Sequence, residues 1–442
     1  MTHVIIAGGS LAGLVTAKAI SPYFDSIDIF EADSKSEDLG PRKGVPQGRH
    51  VHGLLKGGAN ALINLFPDLP EKLEANGATS ADFCRDVKWY INKRFMPRFS
   101  GSIPIYFQSR PLLEYCIREE VSALENVQIH YGTKVSDFTY DPSEERVTGV
   151  VTGGDHDTKY THTAELVIDA TGRGSLLPKW LKQKKLGEVP TENTVVNLGY
   201  ASCFLKLPPD SSRDWSSLLV YPTGPTEVRG CTLVSVENDK WLLTLAGYHK
   251  DHPPADREGF LEFARKLPRP EVYEAVKDAE FLSEISLHKF PSSQYRKYFE
   301  MSDFPAGIIP VGDTNISLNP LFGQGMSVAI LSATSLGDVL AQTDFADKGA
   351  YSRIATVYHR RLRQIFTTPW DLAMGQDFKY PETVGKKPFG WRIKNIFKDL
   401  ILSSKSEDVI ESFFKVVHLV DKEWVFYHPK RALKVLMTSN KQ

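Results

Sequence analysis

Hydrophobic positions at the start of the chain form a short unbroken run, Val4-Ile5-Ile6-Ala7, followed by the small residues Gly8-Gly9-Ser10 and then by a helical pattern over 11–20. An unbroken apolar run of this length suits a parallel strand buried on both faces. A second run at 26–30 ends in Glu31, so the opening segment predicts strand, helix and strand in succession. Apolar spacing further on predicts a helix after residue 55, another at 112–124 and a long one from 327 to about 340, with strands at 127–131 and 164–169. Between 191 and 288 the pattern turns to alternation, at 203–207, 218–221, 231–236 and 241–248, with a helix near 257–267. Alternation predicts an antiparallel sheet with one covered face. A last apolar strand at 307–311 resumes the first pattern and runs into Gly312-Asp313.

The turn after the first strand has the chemistry of a dinucleotide site. Gly8 permits a tight turn, Ser10 is small enough for close approach, and Gly13 lets the helix lie against the strand. The free N–H groups of Leu11 and Ala12 at the helix start, with the helix dipole, favour a pyrophosphate. Glu31 ends the second strand roughly 20 residues beyond the glycines, where a carboxylate accepts ribose hydroxyls. Asp313, at the end of the late strand, is placed for polyol hydroxyls, and the glycine-rich Gly323-Gln324-Gly325-Met326 stretch opens a helix whose N–H groups suit an electron-rich ring.

Composition narrows the class. A chain of 442 residues has room for two or three domains, and a net charge of −1 argues against nucleic acid as a main partner. The four cysteines, Cys84, Cys116, Cys203 and Cys231, show no metal-ligand spacing and suit a reducing compartment. Neither a signal peptide nor a membrane-spanning run is visible, which leads to the expectation of a cytoplasmic protein. The loop Pro41-Arg42-Lys43-Gly44-Val45-Pro46-Gln47-Gly48-Arg49-His50-Val51-His52 carries cations suited to an anionic group. Its two histidines, without a third ligand, read as hydrogen-bonding groups rather than a metal site. Aromatic residues at 81–108 serve either a core or the lining of an apolar cavity.

Taken together, the Arg42-Lys43-Gly44-Val45-Pro46-Gln47 loop with His50 and His52, the Asp169-Ala170-Thr171-Gly172-Arg173-Gly174-Ser175 turn and the Asn319-Pro320-Leu321-Phe322-Gly323-Gln324-Gly325-Met326 loop resemble FAD-dependent monooxygenases. The resemblance is to the aromatic-hydroxylase and squalene-epoxidase class, and within it to bacterial olefin epoxidases acting on polyether precursors. It implies a Rossmann-like FAD-binding domain built from 1–75, 105–185 and 289–345, an inserted antiparallel β-sheet substrate domain from 76–104 and 186–288, and a helical C-terminal region at 346–442. The implied cofactor contacts are Gly8, Ser10, Leu11, Ala12 and Gly13 at the pyrophosphate and Glu31 at the ribose. Arg42 and Arg110 are implied at the pyrophosphate and ribitol, Asp313 at the ribitol, and Val45, Gly323, Gly325 and Met326 at the flavin ring. Trp89, Phe95, Phe107, Tyr221, Trp241 and Pro320 are the candidates for the substrate pocket. Where the wider class has Asp-Gly this chain has Thr171-Gly172, a departure that bears on direct use of NADH or NADPH as against a separate flavin reductase.

The class implies transfer of one oxygen atom of O2, by way of a flavin C4a-hydroperoxide, to an electron-rich carbon, with no side-chain nucleophile. No clear base for a phenolic proton stands out, so the reading favours epoxidation of a lipophilic olefinic metabolite over aromatic hydroxylation or halogenation. The Trp-x-Trp-x-Ile-Pro stretch usual in halogenases is absent. A non-catalytic prenyl-binding protein of the same fold, of the kind of the Rab GDP-dissociation inhibitors, is the third possibility. Residues 351–442 contain 17 Lys+Arg against 9 Asp+Glu, and place Phe389, Ile393, Ile396 and Phe397 beside lysines. Such a segment serves as a helical cap on the substrate domain or as a peripheral contact with an anionic membrane.

Overall fold

The computed structural model describes residues 2–35, 40, 42, 44, 46–153, 158–347 and 349–439. Five parallel strands form the first sheet, in the order Ile308–Pro310, Leu166–Asp169, His3–Ala7, Ser26–Phe30 and Val127–His130. Alternate residues of the opening strand serve opposite cores, which explains its unbroken apolar pattern. Val4 and Ile6 join the cluster under helices Leu11–Ile20, Arg110–Ser122 and Gly325–Leu340. Ile5 and Ala7 face the three-stranded sheet of Val135–Asp141, Arg146–Gly153 and Lys159–Thr163, together with Trp180 and Leu181. The carboxyl ends of His3–Ala7, Leu166–Asp169 and Ile308–Pro310 lie side by side, and the crevice beyond such strand ends is where this architecture binds ligands.

The second sheet runs Ile316–Ser317, Ser286–Arg296, Thr191–Lys206, Lys240–Gly247, Arg229–Val236, Ser217–Val220, Val87–Ile91 and Arg94–Phe95, with Glu280–Phe281 beside Thr191–Lys206. Its pairs are antiparallel except one: Val87–Ile91 lies parallel to Ser217–Val220. The strand Ser286–Arg296 runs on past 288 and ties this sheet to the first domain, because Arg296 donates to the carbonyls of Thr314 (3.0 Å) and Arg173 (2.7 Å). Period-two alternation gives the sheet two covered faces rather than one. Leu218, Val220, Cys231, Leu233, Leu243 and Leu245 pack under helices Arg257–Arg265 and Glu271–Val276. Trp89, Val234, Val236 and Leu242 turn the other way, toward the C-terminal helices.

That C-terminal region consists of helices Ala350–Asp377, Trp391–Ser403, Glu407–Val417 and Pro429–Thr438. The apolar series read there divides in two. Phe397 packs half-buried against the cluster of Trp89, Phe107, Phe413 and Phe414, whereas Phe389, Ile393 and Ile396 stand 101%, 76% and 64% exposed. Among the described residues no helix is long and apolar enough to cross a membrane.

Candidate functional site

The glycine turn is fixed by sterics. Gly8 sits at φ +104°, and a Cβ there would come within 2.6 Å of the Ala170 carbonyl oxygen; a Cβ on Gly13 would lie 1.9 Å from the Gly8 oxygen. Only glycine lets the helix start against this turn. First-turn N–H groups have no intrahelical acceptor, and here they open onto a cleft of about 450 Å³ lined by Ser10, Leu11 and Ala12. Across it stand Arg110, Thr171, Asp313, Gly323, Gly325 and Met326.

Glu31 and Arg42 do not line this cleft but stand behind its wall. Glu31 accepts hydrogen bonds from the N–H groups of Gly9 (3.0 Å) and Asp33 (2.9 Å), so it braces the glycine turn. Arg42 is engaged by three carboxylates rather than turned to a phosphate. It donates to Glu114 at 2.9 and 2.6 Å and to Asp33 at 3.2 Å, and lies 3.2 Å from Glu31. Glu114 is the hub that sequence reading passed over. It accepts from Arg42, from Arg118 at 2.8 Å and from Ser10 at 2.9 Å, and the surrounding cations hold it below its usual value despite burial. The signal was present in the spacing: Arg110, Glu114 and Arg118 follow one another at i, i+4 on one helix face. Val45 lies outside the described residues.

Asp313 projects from the end of the late strand with no protein hydrogen bond among the described residues. Burial raises it to about 6, while Arg110, Arg173 and Arg296 oppose the rise. Arg110 donates to Ser10 at 3.1 Å but leaves its Nε buried and unpartnered. A free carboxylate, an unpartnered guanidinium nitrogen and a helix start around one cleft fit a cofactor with hydroxyls and a pyrophosphate. Thr171 turns inward, donating its hydroxyl to Asp169 at 2.5 Å. Opposite, Gly323 takes a left-handed conformation (φ +64°) that ends the Pro320–Phe322 turn and lets Gly325 open the following helix at the cleft edge.

A second, narrower pocket of about 120 Å³ adjoins the cleft and shares Val51, His52, Gly53, Arg110, Pro320 and Gly323 with it. Trp89, Phe107, Tyr221 and Pro320 line it, as do Leu219, Val234 and Leu242. Phe95 and Trp241 do not. Phe95 pairs with Tyr90 and so follows that residue to the opposite face, where Lys88 and Arg269 cover its ring. Trp241 precedes the pocket residue Leu242 by one position, which turns it away to meet Trp215 and Arg213. The pocket wall is not wholly apolar. Trp89 Nε1, Gln108 Oε1, Arg110 Nε and His418 Nε2 are buried without a partner among the described residues.

The His50-Val51-His52 segment is pinned to the second sheet by hydrogen bonds. His50 Nδ1 meets Ser202 Oγ at 2.7 Å, Ser202 meets Thr244 at 2.6 Å, and Thr244 Oγ1 accepts from the Val51 N–H at 3.0 Å. His52 Nδ1 donates to the His50 carbonyl at 2.9 Å. A loop so held places its next residue, Gly53, against Gly323 across the cleft, 3.7 Å from a Cβ built there.

Residues 1–366 match the family model described as FAD binding domain. The chain belongs to the FAD binding domain family. Protein Rv3254 of Mycobacterium tuberculosis is 29% identical to this family member over 428 residues, covering 93% of the chain and 88% of that protein. Squalene epoxidase 3 of Arabidopsis thaliana is 24% identical over 83% of the chain, which spans 65% of the plant protein. Among solved structures, the fold is shared with the flavin-dependent brominase Bmp2 (TM-score 0.68, 16% identity, 95% of this chain and 94% of that one). It is shared as well with p-nitrophenol 4-monooxygenase PnpA from Pseudomonas putida DLL-E4 (TM-score 0.67, 16% identity, 96% and 100%). Membership of this family identifies FAD as the group that the cleft residues would hold.

Proposed function

We propose that the enzyme epoxidises a lipophilic olefinic metabolite, one atom of O2 entering the carbon–carbon double bond and the other leaving as water. NADH or NADPH supplies the two electrons, directly or through a flavin reductase. The observation that carries this reading is the narrow, mainly apolar pocket beside the cofactor cleft, with Val51–Gly53, Pro320 and Gly323 lining both. FAD, when bound and reduced, supplies the activation of O2.

The chain's own residues supply place and environment. The first-turn N–H groups at Leu11 and Ala12 and the Arg110 guanidinium hold the pyrophosphate, and Asp313 accepts ribitol hydroxyls. The N–H groups at the start of the helix Gly325–Leu340 would stabilise negative charge on the electron-rich ring when it is bound. Trp89, Phe107, Leu219 and Tyr221 hold the substrate skeleton and keep water out.

We further propose that the C-terminal face docks peripherally on an anionic lipid surface. Exposed Phe389, Ile393, Ile396, Trp424, Leu436 and Met437 stand beside Lys386, Lys387, Lys430 and Lys434. The excess of cations in this region complements anionic headgroups. Phe413 on the neighbouring helix Glu407–Val417 stacks near Trp89 (6.2 Å), and Val417 and His418 at the end of that helix line the pocket.

The test of the epoxidase is an anaerobic absorption spectrum of the FAD-loaded protein before and after NADH or NADPH, followed by an olefin screen under labelled O2. Bleaching on addition identifies a direct donor, and bleaching only with a flavin reductase assigns that partner. Label in an epoxide supports the reading. Label in a ring hydroxyl replaces it with hydroxylation, and failure to bind FAD removes it.

A further inference from the structure

Two imidazoles of the pocket have their hydrogen-bonding sense fixed by the fold: His418 Nδ1 accepts from the Lys56 N–H at 3.1 Å, which leaves its Nε2 a donor, and His52 is the opposite case. A carbonyl oxygen only accepts, so the contact between His52 Nδ1 and the His50 carbonyl places the imidazole proton on Nδ1. Burial, reinforced by the Arg110 guanidinium, holds His52 near 3, so the ring is neutral at physiological pH. A neutral ring protonated at Nδ1 has a bare Nε2 lone pair. That nitrogen has no protein partner among the described residues, and His52 belongs to both the cofactor cleft and the substrate pocket.

The ring cannot easily turn to hide this acceptor. The backbone on its N-terminal side is tied down through Val51, Thr244, Ser202 and His50, and Gly53 on its other side meets Gly323. Moving the proton to Nε2 would set the Nδ1 lone pair against the His50 carbonyl oxygen, an unfavourable contact in a dry site, and reversing the ring would give up the hydrogen bond. With Trp89 Nε1, Arg110 Nε and His418 Nε2 standing as unmatched donors in the same wall, an unmatched acceptor selects for a group that donates as well as accepts, as a hydroxyl does. The alternative, a substrate that is pure hydrocarbon, would bury the lone pair unpaired.

We propose that the substrate carries a hydroxyl, alcoholic, phenolic or enolic, that donates to His52 Nε2 and holds the oxidised carbon over the cofactor. This rests on the monooxygenase reading of the same site and narrows its substrate class. His52 is then the residue that decides between hydroxylated and unhydroxylated skeletons. It acts by accepting a hydrogen bond and needs no full proton transfer.

The experiment titrates the FAD-loaded enzyme with geraniol and with 2-naphthol, each against its own methyl ether, and follows the flavin absorption band. Wild type is expected to bind each alcohol about tenfold tighter than the ether, the worth of one hydrogen bond to a buried acceptor. His52→Phe removes the preference by weakening the alcohols, and His52→Gln, whose amide oxygen also accepts, restores part of it. FAD content is measured for every variant. Equal affinity for alcohol and ether in wild type, no saturable binding of either pair, or a preference that survives in H52F overturns the proposal. Loss of FAD binding by wild type would instead defeat the monooxygenase reading on which it stands.

Discussion

Asp377 is a buried acid with one half of its carboxylate unmatched, and its removal should stabilise the protein in a way that depends on pH. Its Oδ1 accepts from Tyr248 OH (2.9 Å) and from Asn319 Nδ2 (2.8 Å), while Oδ2 has no partner among the described residues. Burial raises its pKa from 3.8 to about 7 against these two hydrogen bonds. Below pH 3.8 the group is neutral in both folded and unfolded chains and costs nothing. As pH rises the unfolded chain ionises first, so folding loses stability until the folded group ionises near 7, after which the loss is constant. The slope is about 1.4 kcal/mol per pH unit, and the interval of roughly three units gives a total on the order of 4 kcal/mol. Asp377→Asn keeps an oxygen for Tyr248 and Asn319 and cannot ionise. Urea unfolding of wild type and variant from pH 5 to pH 9 should therefore show the variant gaining between 5 and 7 and holding a constant advantage above. A variant that is less stable at pH 8, or whose difference from wild type ignores pH, would refute the argument.

Two further outcomes follow from the same structure. Glu114→Gln leaves Arg42, Arg110 and Arg118 facing one another in a buried site, so it should cost about 3–5 kcal/mol in urea unfolding and loosen the Ser10 turn enough to lower FAD retention on gel filtration. The paired change Ile393→Asp and Ile396→Asp, on exposed positions, should leave thermal unfolding within about 0.5 kcal/mol of wild type while abolishing flotation with anionic vesicles; unchanged flotation would exclude this face as the lipid contact.

Legibility in the sequence followed how local the cause was. The turn at Gly8 and the helix behind it could be read because the steric demand lies within a few residues: a side chain at 13 strikes the oxygen of residue 8. The assignment of Gly323 and Gly325 to the cleft is local in the same sense. Glu114 escaped because its i, i+4 spacing from Arg110 and Arg118 looks alike on a solvated helix face, and the third guanidinium, Arg42, arrives from a distant loop. Phe95 and Trp241 were misplaced by one position of strand parity, which only the pairing register decides: Tyr90 opposite Phe95 fixes one, and Leu242 on the pocket side fixes the other. The one parallel pair in the second sheet, Val87–Ile91 beside Ser217–Val220, was invisible for the same reason, since alternation does not record direction.

The pocket's dependence on the end of the chain has a consequence for its birth on the ribosome. The last residue lining the cofactor cleft is Ala329, whereas the pocket beside it waits for Val417 and His418. At roughly 5–20 residues per second the intervening segment of about 90 residues takes several seconds to synthesise. Through that interval a nascent chain carries every residue that lines the flavin cradle, while the adjoining chamber still lacks Val417 and His418.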